Sequence, residues 1–147
     1  MRFIKNTTVA LAFLLPAATP WASLAEGWLV DEISGCRIWS AEEVVEGEGA
    51  TWNGACVDGK ASGSGVLIFW DSEGLLARYT GELTAGKAHG EGQVLFRNRD
   101  KDGFDRYFGA FEDGHPRGEG LYRGADGSIF FGELLELAGE ALGEIHP

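Results

Sequence analysis

Two cysteines are the residues whose type and spacing point most directly to chemistry. Cys36 and Cys56 are the only cysteines of the chain, and an even pair in an exported protein is typical of a disulfide. A bond between them would enclose about 20 residues and stabilise the fold by roughly 3 kcal/mol in the loop-entropy model. A catalytic or redox thiol pair is the alternative, but the spacing is not Cys-x-x-Cys and no histidine lies nearby in sequence. We therefore predict a structural Cys36–Cys56 disulfide.

The histidines and carboxylates do not form a recognisable catalytic set. His89 and His115 fall in predicted turns, where histidine is usually solvated, and His146 lies near the end of the sequence. Carboxylates occur near each histidine only because they occur throughout the chain. The Gly-x-Gly pairs belong to a repeated frame, so they do not indicate a nucleotide site. The sequence therefore predicts no catalytic residue, no cofactor and no metal site, and favours a protein that is not an enzyme.

One turn resembles the start of a calcium-binding loop. Residues 98–103 read NRDKDG and match ligand positions one, three and five followed by glycine. The twelfth position is Gly109 instead of the required glutamate, and Arg99 and Lys101 would place positive charge beside the cation. We interpret the segment as a solvated hairpin insertion, with calcium binding as the alternative.

A repeated frame of glycines must position all of these residues. Glycine occurs 23 times, which is more than twice an average share of about 7%. The 44% hydrophobic content argues against disorder, so the glycine is structural rather than linker. The frame is an aromatic residue followed by four glycines at fixed offsets. It occurs as Trp52-Gly54-Gly59-Gly63-Gly65, as Tyr79-Gly81-Gly86-Gly90-Gly92 and as Tyr107-Gly109-Gly114-Gly118-Gly120, and it begins again at Phe130-Gly132.

This frame resembles the MORN repeat (membrane occupation and recognition nexus), whose consensus runs roughly Tyr-x-Gly, four spacers, Gly, three spacers and Gly-x-Gly. Three near-complete copies and a degenerate fourth cover residues 52–134. The resemblance implies a sheet of repeated β-hairpins used for interaction or scaffolding. It indicates architecture better than activity, because one fold serves many functions.

The repeats predict an all-β fold, an elongated single-layer antiparallel sheet of hairpins. In each copy one strand runs through the aromatic-x-Gly segment, a glycine-rich turn follows, and the second strand begins at Gly-x-Gly. Outer turns that return the chain are predicted at Glu73-Gly74, Asp102-Gly103 and Asp126-Gly127. We expect residues 26–51 to form an N-terminal cap linked to the array by the disulfide and the array to span 52–134. Residues 135–147 are expected to form a C-terminal cap, either a short helix or a turn.

Strand alternation divides the repeat residues between two faces. The glycine face is almost wholly aromatic, aliphatic or glycine, and we predict that it forms the core, with aromatic rings lying over glycines of the neighbouring hairpin. The alternative is an aromatic groove that binds a small ligand, a glycan or a lipid. The candidate groove residues are Trp52, Phe69, Tyr79, Phe96, Tyr107, Tyr122 and Phe130.

The opposite face, the mixed face, combines polar residues with more apolar side chains than a solvated surface needs. One interpretation is that the N-terminal cap covers some of them and that the rest are ordinary exposed apolar residues. The other is a surface for a partner or for a dimer. The candidate partner-binding residues are Ile68, Trp70, Leu95, Phe108, Leu121 and Phe131.

Residues 1–25 resemble a secretory signal peptide. Arg2 and Lys5 form a positive start, an apolar run follows over residues 9–16, and the tripeptide SLA at 23–25 supplies the small residues of a cleavage site. The apolar run is too short to span a bilayer. A retained N-terminal anchor is the alternative. We therefore expect an exported protein, either periplasmic or secreted.

The acidity of the chain restricts the partners that it can bind. The formal net charge is −11, and loss of residues 1–25 would leave ten basic and 23 acidic residues, a charge of −13. Nucleic acids and anionic lipid surfaces bind to positive patches, whereas the basic residues are scattered singly along the sequence. We expect no nucleic acid and no direct binding to an anionic membrane. The predicted function is a non-enzymatic exported repeat protein that binds another exported or envelope protein, or serves as a scaffold.

Overall fold

The computed structural model describes residues 27–133, which form ten β-strands and no helix. The strands are β1 (Trp28–Val30), β2 (Arg37–Trp39), β3 (Gly49–Trp52), β4 (Ala55–Val57), β5 (Lys60–Asp71), β6 (Gly74–Thr84), β7 (Lys87–Asn98), β8 (Gly103–Glu112), β9 (His115–Arg123) and β10 (Ile129–Glu133). Their order in the sheet is β1-β2-β5-β6-β7-β8-β9-β10, and β3 and β4 both pair with β5. The predicted all-β sheet of hairpins is confirmed. The predicted signal peptide (1–25) and C-terminal cap (135–147) lie outside the described residues.

Two-residue turns close the hairpins at one end of the sheet, which we call the inner end. At Asp58-Gly59, Ala85-Gly86 and Asp113-Gly114 both central residues have positive φ, between 50° and 89°. This is the geometry of type I′ turns, whose twist matches that of the strands that they join. The strands that follow begin at Lys60, Lys87 and His115, three residues before the Gly-x-Gly pairs. The predicted strand starts were therefore wrong, because the short turn allows the two strands to pair directly after it. The placement of His89 and His115 in turns was also wrong, since both residues lie in strands.

Backbone hydrogen bonds link the inner turns of successive hairpins. The N–H of Gly86 donates to the carbonyl of Ala61 at 2.8 Å, and the N–H of Gly114 donates to the carbonyl of Ala88 at 2.9 Å. Each turn is therefore tied to the hairpin before it. These bonds come in addition to the regular strand pairing, so the inner end of the sheet is continuously hydrogen-bonded.

The glycine frame becomes a row of glycines that crosses six adjacent strands. Gly65, Gly81, Gly92, Gly109, Gly120 and Gly132 lie opposite one another from β5 to β10. The ring of Tyr79 covers Gly81 and Gly92, and a methyl group at Gly92 would lie 2.6 Å from Cε2 of that ring. Tyr107 covers the glycines of the next hairpin in the same way. The predicted packing of aromatic rings on glycines is confirmed, because the row has no room for side chains. The predicted partner was wrong, since each ring covers the glycines of its own hairpin and not those of the neighbouring one.

The glycine face contains the core. Trp52, Tyr79 and Tyr107 are buried, and the Phe111 ring meets the Tyr79 and Tyr107 rings edge to face at 5.1 and 5.4 Å between centroids. Buried aliphatic residues from the repeats and from the N-terminal segment complete one cluster. The predicted core face is therefore the observed one.

The N-terminal hairpin β1–β2 lies across the inner turns. The N–H of Trp39 donates to the carbonyl of Gly86 at 2.8 Å, and the Trp39 ring packs on Gly114. β2 also makes one bridge to β5, from Arg37 to Lys60, which is the single parallel pairing of the described sheet. β3 pairs with the free side of β5. The N-terminal segment therefore covers both the first edge and the inner end of the array.

A disulfide joins Cys36 of the N-terminal hairpin region to Cys56 in β4, as predicted. Hydrogen bonds to Asp31 also connect the β1–β2 turn to β3. Its buried carboxylate accepts hydrogen bonds from the backbone N–H of Ile33 at 3.0 Å and of Trp52 at 3.2 Å, and from the Ser34 hydroxyl at 2.7 Å. Burial acts to raise the pKa of Asp31, but these donors outweigh it and leave the pKa below its ordinary value.

Candidate functional site

The six candidate partner-binding residues all lie on the mixed face, and the strand register separates them into rows. Phe108, Leu121 and Phe131 are directly opposite one another on β8, β9 and β10. Phe108 is 38% exposed and Phe131 is 69% exposed, while Leu121 between them is half-buried. Three apolar side chains on adjacent strands thus form one contiguous strip, which we call the apolar band (Phe108, Leu121 and Phe131).

The other three candidates lie closer to the outer turns. Ile68 and Leu95 are half-buried and belong to the next row of the sheet, where Arg78 of β6 separates them. Trp70 is 41% exposed, and its ring lies against Gly49 of β3. The structure therefore brings the apolar band together but does not join all six candidates into a single patch.

Sequence reasoning missed a row of arginines beside the apolar band. Arg106 and Arg123 lie directly opposite each other on β8 and β9, and Arg78 lies in the same row on β6, across Leu95 of β7. We call these three exposed residues the arginine band (Arg78, Arg106 and Arg123). None of the three has a carboxylate within 4.0 Å in the described part of the chain.

A signal for the arginine band does exist in the sequence. Arg78 and Arg106 each precede the tyrosine that starts a repeat, and Arg123 follows Tyr122. Alternation with a tyrosine of the glycine face places each arginine on the mixed face. The basic residues are scattered singly along the sequence, but the hairpin register gathers three of them into one row.

Carboxylates form a third row on the mixed face, on the inner side of the apolar band. Glu82, Glu91, Glu119 and Glu133 lie on β6, β7, β9 and β10, and all four are exposed. Glu119 and Glu133 are directly opposite each other. We call these residues the acidic band (Glu82, Glu91, Glu119 and Glu133). Arg117 also lies at the inner end of this face, opposite Ala110, and it pairs with Glu112 at 3.1 Å. The mixed face is therefore predominantly negative at its inner end and positive toward its outer end, with apolar side chains between on β8 to β10.

Hydrogen bonds to the side chain of Asn98 stabilise the turn that resembles a calcium loop. The Asn98 Oδ1 accepts from the backbone N–H of Asp100 at 3.0 Å and of Lys101 at 2.9 Å, and the Asn98 amide donates to Asp105 at 2.8 Å. Lys101 pairs with Asp126 on the following turn. Over residues 27–133 the acidic and histidine side chains form no cluster of three that could hold a metal ion.

Asp105 anchors this outer end of the sheet. Its carboxylate is 3% exposed and accepts from the Tyr122 hydroxyl and the Ala125 N–H, each at 2.6 Å, besides Asn98. Burial acts to raise the pKa of Asp105, but the three donors outweigh it and leave the pKa below its ordinary value. Burial, together with the hydrogen bond to Asp105, raises the pKa of Tyr122. The geometry is that of a satisfied structural carboxylate.

A polar cleft of about 790 Å³ opens between the outer turns and the loop before β3. Its lining includes Arg97, which pairs with Asp71 at 3.2 Å and with Glu73 at 3.4 Å. These pairs connect the β5–β6 turn to β7. The cleft thus lies among ion pairs that join neighbouring hairpins.

The candidate groove residues on the glycine face are mostly covered. Trp52, Tyr79 and Tyr107 are buried in the core. Phe69, Phe96 and Tyr122 are half-buried, and Phe130 is 38% exposed on the last described strand. The three buried rings present no surface to a ligand, so a groove on this face would consist of the other four residues.

The described residues contain no helix long and apolar enough to cross a membrane.

Comparison with known proteins agrees with the repeat architecture. The family model of the MORN repeat matches residues 79–101 and 107–129. The chain is also 32% identical over 83 residues to Alsin from Homo sapiens and to Alsin from Mus musculus. The aligned region is 56% of this chain but 5% of the length of each Alsin. The matched segments start at Tyr79 and Tyr107, the two tyrosines that lie over the glycine row, and the chain therefore contains MORN repeats.

Proposed function

We propose that this chain is a non-catalytic, exported repeat protein that binds another protein through its mixed face. The apolar band carries the proposal. Phe108, Leu121 and Phe131 lie on three neighbouring strands and remain accessible in the described structure. Contiguous exposed apolar side chains rimmed by polar residues mark interaction surfaces, whereas isolated ones are ordinary.

The composition of the mixed face favours a protein over a small molecule. Aromatic and arginine side chains are enriched at protein interfaces, and this face presents Phe108, Phe131 and Trp70 beside the arginine band. The face is an open sheet surface, whereas small-molecule sites are concave. MORN repeats are in general modules for interaction with proteins or membranes, which supports a binding role over a catalytic one.

Export is supported by two independent features. Residues 1–25 have the pattern of a secretory signal peptide, and the Cys36–Cys56 disulfide belongs to an oxidising compartment. Mass spectrometry of the chain purified from its own host tests this part. A mature protein that begins at Glu26 supports export, and an intact N-terminus with reduced cysteines contradicts it.

The binding role is tested by capture in the native host. The tagged chain is crosslinked and compared with a Trp70→Asp/Phe108→Asp variant. The matched control is Ile33→Asp, which also introduces a carboxylate at an apolar residue but lies in the β1–β2 turn, where Ile33 is 90% exposed. All three proteins should have similar melting temperatures, because the substituted side chains are at least 38% exposed.

Capture of a stoichiometric protein by the parent and by Ile33→Asp, with loss in the mixed-face variant, is the expected result. Equal capture by all three proteins would place the interaction elsewhere. Capture of nothing by any of them would remove the binding proposal for the mixed face.

A further inference from the structure

We propose that the protein bound by the mixed face is a second copy of this chain, packed face to face with its strands reversed. The inference rests on the proposed function, since it uses the same face and names its occupant. It comes from the order of the three bands, which is acidic, apolar and arginine from the inner end toward the outer end.

Two-fold symmetry decides which bands meet. In the first arrangement the two-fold axis runs along the apolar band, perpendicular to the strands. Each copy then places its arginine band over the acidic band of the other, and the two apolar bands are in contact. We call this the reversed arrangement. If the axis runs parallel to the strands, arginine faces arginine and glutamate faces glutamate. Like charges brought together at an interface are strongly unfavourable, so only the reversed arrangement is complementary.

Two strands show this complementarity residue by residue. On β6, Arg78 and Glu82 flank Thr80, and all three side chains point to the mixed face. In the reversed arrangement Arg78 of one copy lies over Glu82 of the other, twice by symmetry. Face-to-face sheets are about 10 Å apart, a gap that an arginine and a glutamate side chain span together.

On β9 the same pattern runs in the opposite chain direction, because Glu119 and Arg123 flank Leu121. Glu119 of one copy therefore lies over Arg123 of the other, and Leu121 contacts Leu121 of the other copy. On the adjacent strand β8, Phe108 contacts Phe108 of the other copy. The pairing also gives Arg123 an acidic partner, which matters because Arg106 and Arg123 are directly opposite within one sheet, a like-charge arrangement that otherwise destabilises it.

The size of the face predicts a weak dimer. The mixed face extends over six strands, β5 to β10, which are spaced about 4.8 Å apart, and the three bands together span about 14 Å along the strands. With the side-chain margins, these dimensions give a contact area of roughly 500–600 Å² per copy. The total of about 1,100 Å² is near the lower limit for a specific interface. Each copy without residues 1–25 also carries a net charge of −13, from ten basic and 23 acidic residues, which opposes association at low ionic strength. We therefore expect a dissociation constant in the micromolar range at physiological ionic strength.

Sedimentation equilibrium of the mature chain between about 10 and 500 µM, in about 0.15 M salt, tests the proposal. Arg78→Glu and Glu82→Arg should each weaken the dimer about tenfold or more, because each creates two like-charge contacts. The double variant R78E/E82R should restore it, since exchange of the two charges recreates both pairs. Arg99→Glu and Glu32→Arg carry the same charge changes at exposed sites off the bands and should leave the dimer unchanged.

Restoration in the double variant is the result that supports the reversed pairing, because a role in folding or in net charge does not predict it. A chain that stays monomeric up to the highest concentration, or a dimer that the band variants do not affect, overturns the inference. If the chain is monomeric but captures a different protein through the mixed face, the inference fails and the proposed function stands. If no protein binds this face, both fail.

Discussion

The hydroxyl of Tyr79 donates a hydrogen bond to the backbone carbonyl of Glu82 at 2.9 Å, three residues further along β6. The first repeat has the same relationship, since Nε1 of Trp52 donates to the carbonyl of Ala55 at 2.9 Å. The aromatic residue of the frame therefore not only covers the glycine row but also satisfies the backbone carbonyl three residues further along the chain. The equivalent Tyr107 departs from this pattern, because its buried hydroxyl has no hydrogen-bond partner among residues 27–133.

This difference predicts that two identical substitutions will have different effects. Tyr79→Phe should lower the free energy of unfolding by about 1 kcal/mol, because it removes a hydrogen bond and leaves the Glu82 carbonyl without that donor. Tyr107→Phe should be neutral or stabilising, since it removes a buried polar group that lacks a partner. Urea unfolding of both variants measures the difference. Equal losses would contradict the assigned hydrogen bonding.

The glycine row predicts a graded response to alanine. Gly92→Ala should destabilise the protein by about 1–3 kcal/mol, because the added methyl group would meet the buried Tyr79 ring at 2.6 Å. Gly132→Ala should cost less, because its nearest neighbour is the partly exposed Phe130 ring at 3.0 Å, which is free to shift. Thermal unfolding of the two variants makes the comparison, and a larger loss at Gly132 would refute the packing argument.

The buried Asp105 predicts a pH dependence of stability. Its folded pKa lies below the ordinary value of 3.8, so the ionised carboxylate stabilises the fold above that pH. The contribution is lost as the pH falls through the folded pKa, because the unfolded state then binds more protons. Asp105→Asn should destabilise the protein at neutral pH by about 1–3 kcal/mol and flatten the acid limb of the stability curve.

The matched control for Asp105 is Asp126→Asn, the same chemical change at an exposed ion pair with Lys101. Exposed pairs contribute little to stability, so this variant should stay close to the parent at neutral pH. Denaturant unfolding at a series of pH values measures both variants. An acid limb that is unchanged in Asp105→Asn would show that other carboxylates, such as Asp31, dominate it.

The disulfide predicts a redox dependence of the N-terminal cap. Replacing both Cys36 and Cys56 by alanine should lower the free energy of unfolding by roughly 3 kcal/mol, because the bond restricts the unfolded chain. Reductant should lower the melting temperature of the parent and leave that of the double variant unchanged. If reductant has no effect on the parent, the bond does not form in the protein as purified.

The repeat architecture could be predicted from the sequence because its constraints are local along the chain. An aromatic residue followed by Gly-x-Gly at a fixed distance requires glycine wherever the ring lies, and this requirement recurs with the period of the hairpin. Strand alternation then separates Tyr79 and Tyr107 from Phe108 without knowledge of the neighbours. A single pair of cysteines likewise leaves only Cys36 and Cys56 to bond within one chain.

The type of the inner turn was less accessible to sequence reasoning. Ala85 adopts a positive φ of 50°, which is unfavourable for alanine and which residue preference alone would not assign to it. The Gly-x-Gly pairs appeared to mark the start of the next strand, but pairing starts at the two-residue turn before them. Hairpin formation outweighed the local preference of Ala85.

Only the tertiary structure decided how the surface is organised. Arg78, Arg106 and Arg123 are far apart in the sequence, and they share one row because the cross-strand register is set jointly by the turns and by the bulges between Gly81 and Glu82 and between Gly109 and Ala110. The position of Trp39 on Gly114 depends in the same way on a hairpin formed far away along the chain. Sequence determined which face each side chain occupies, since alternation is a property of a single strand. Which side chains become neighbours on that face is a property of the whole sheet, because it depends on pairing between strands.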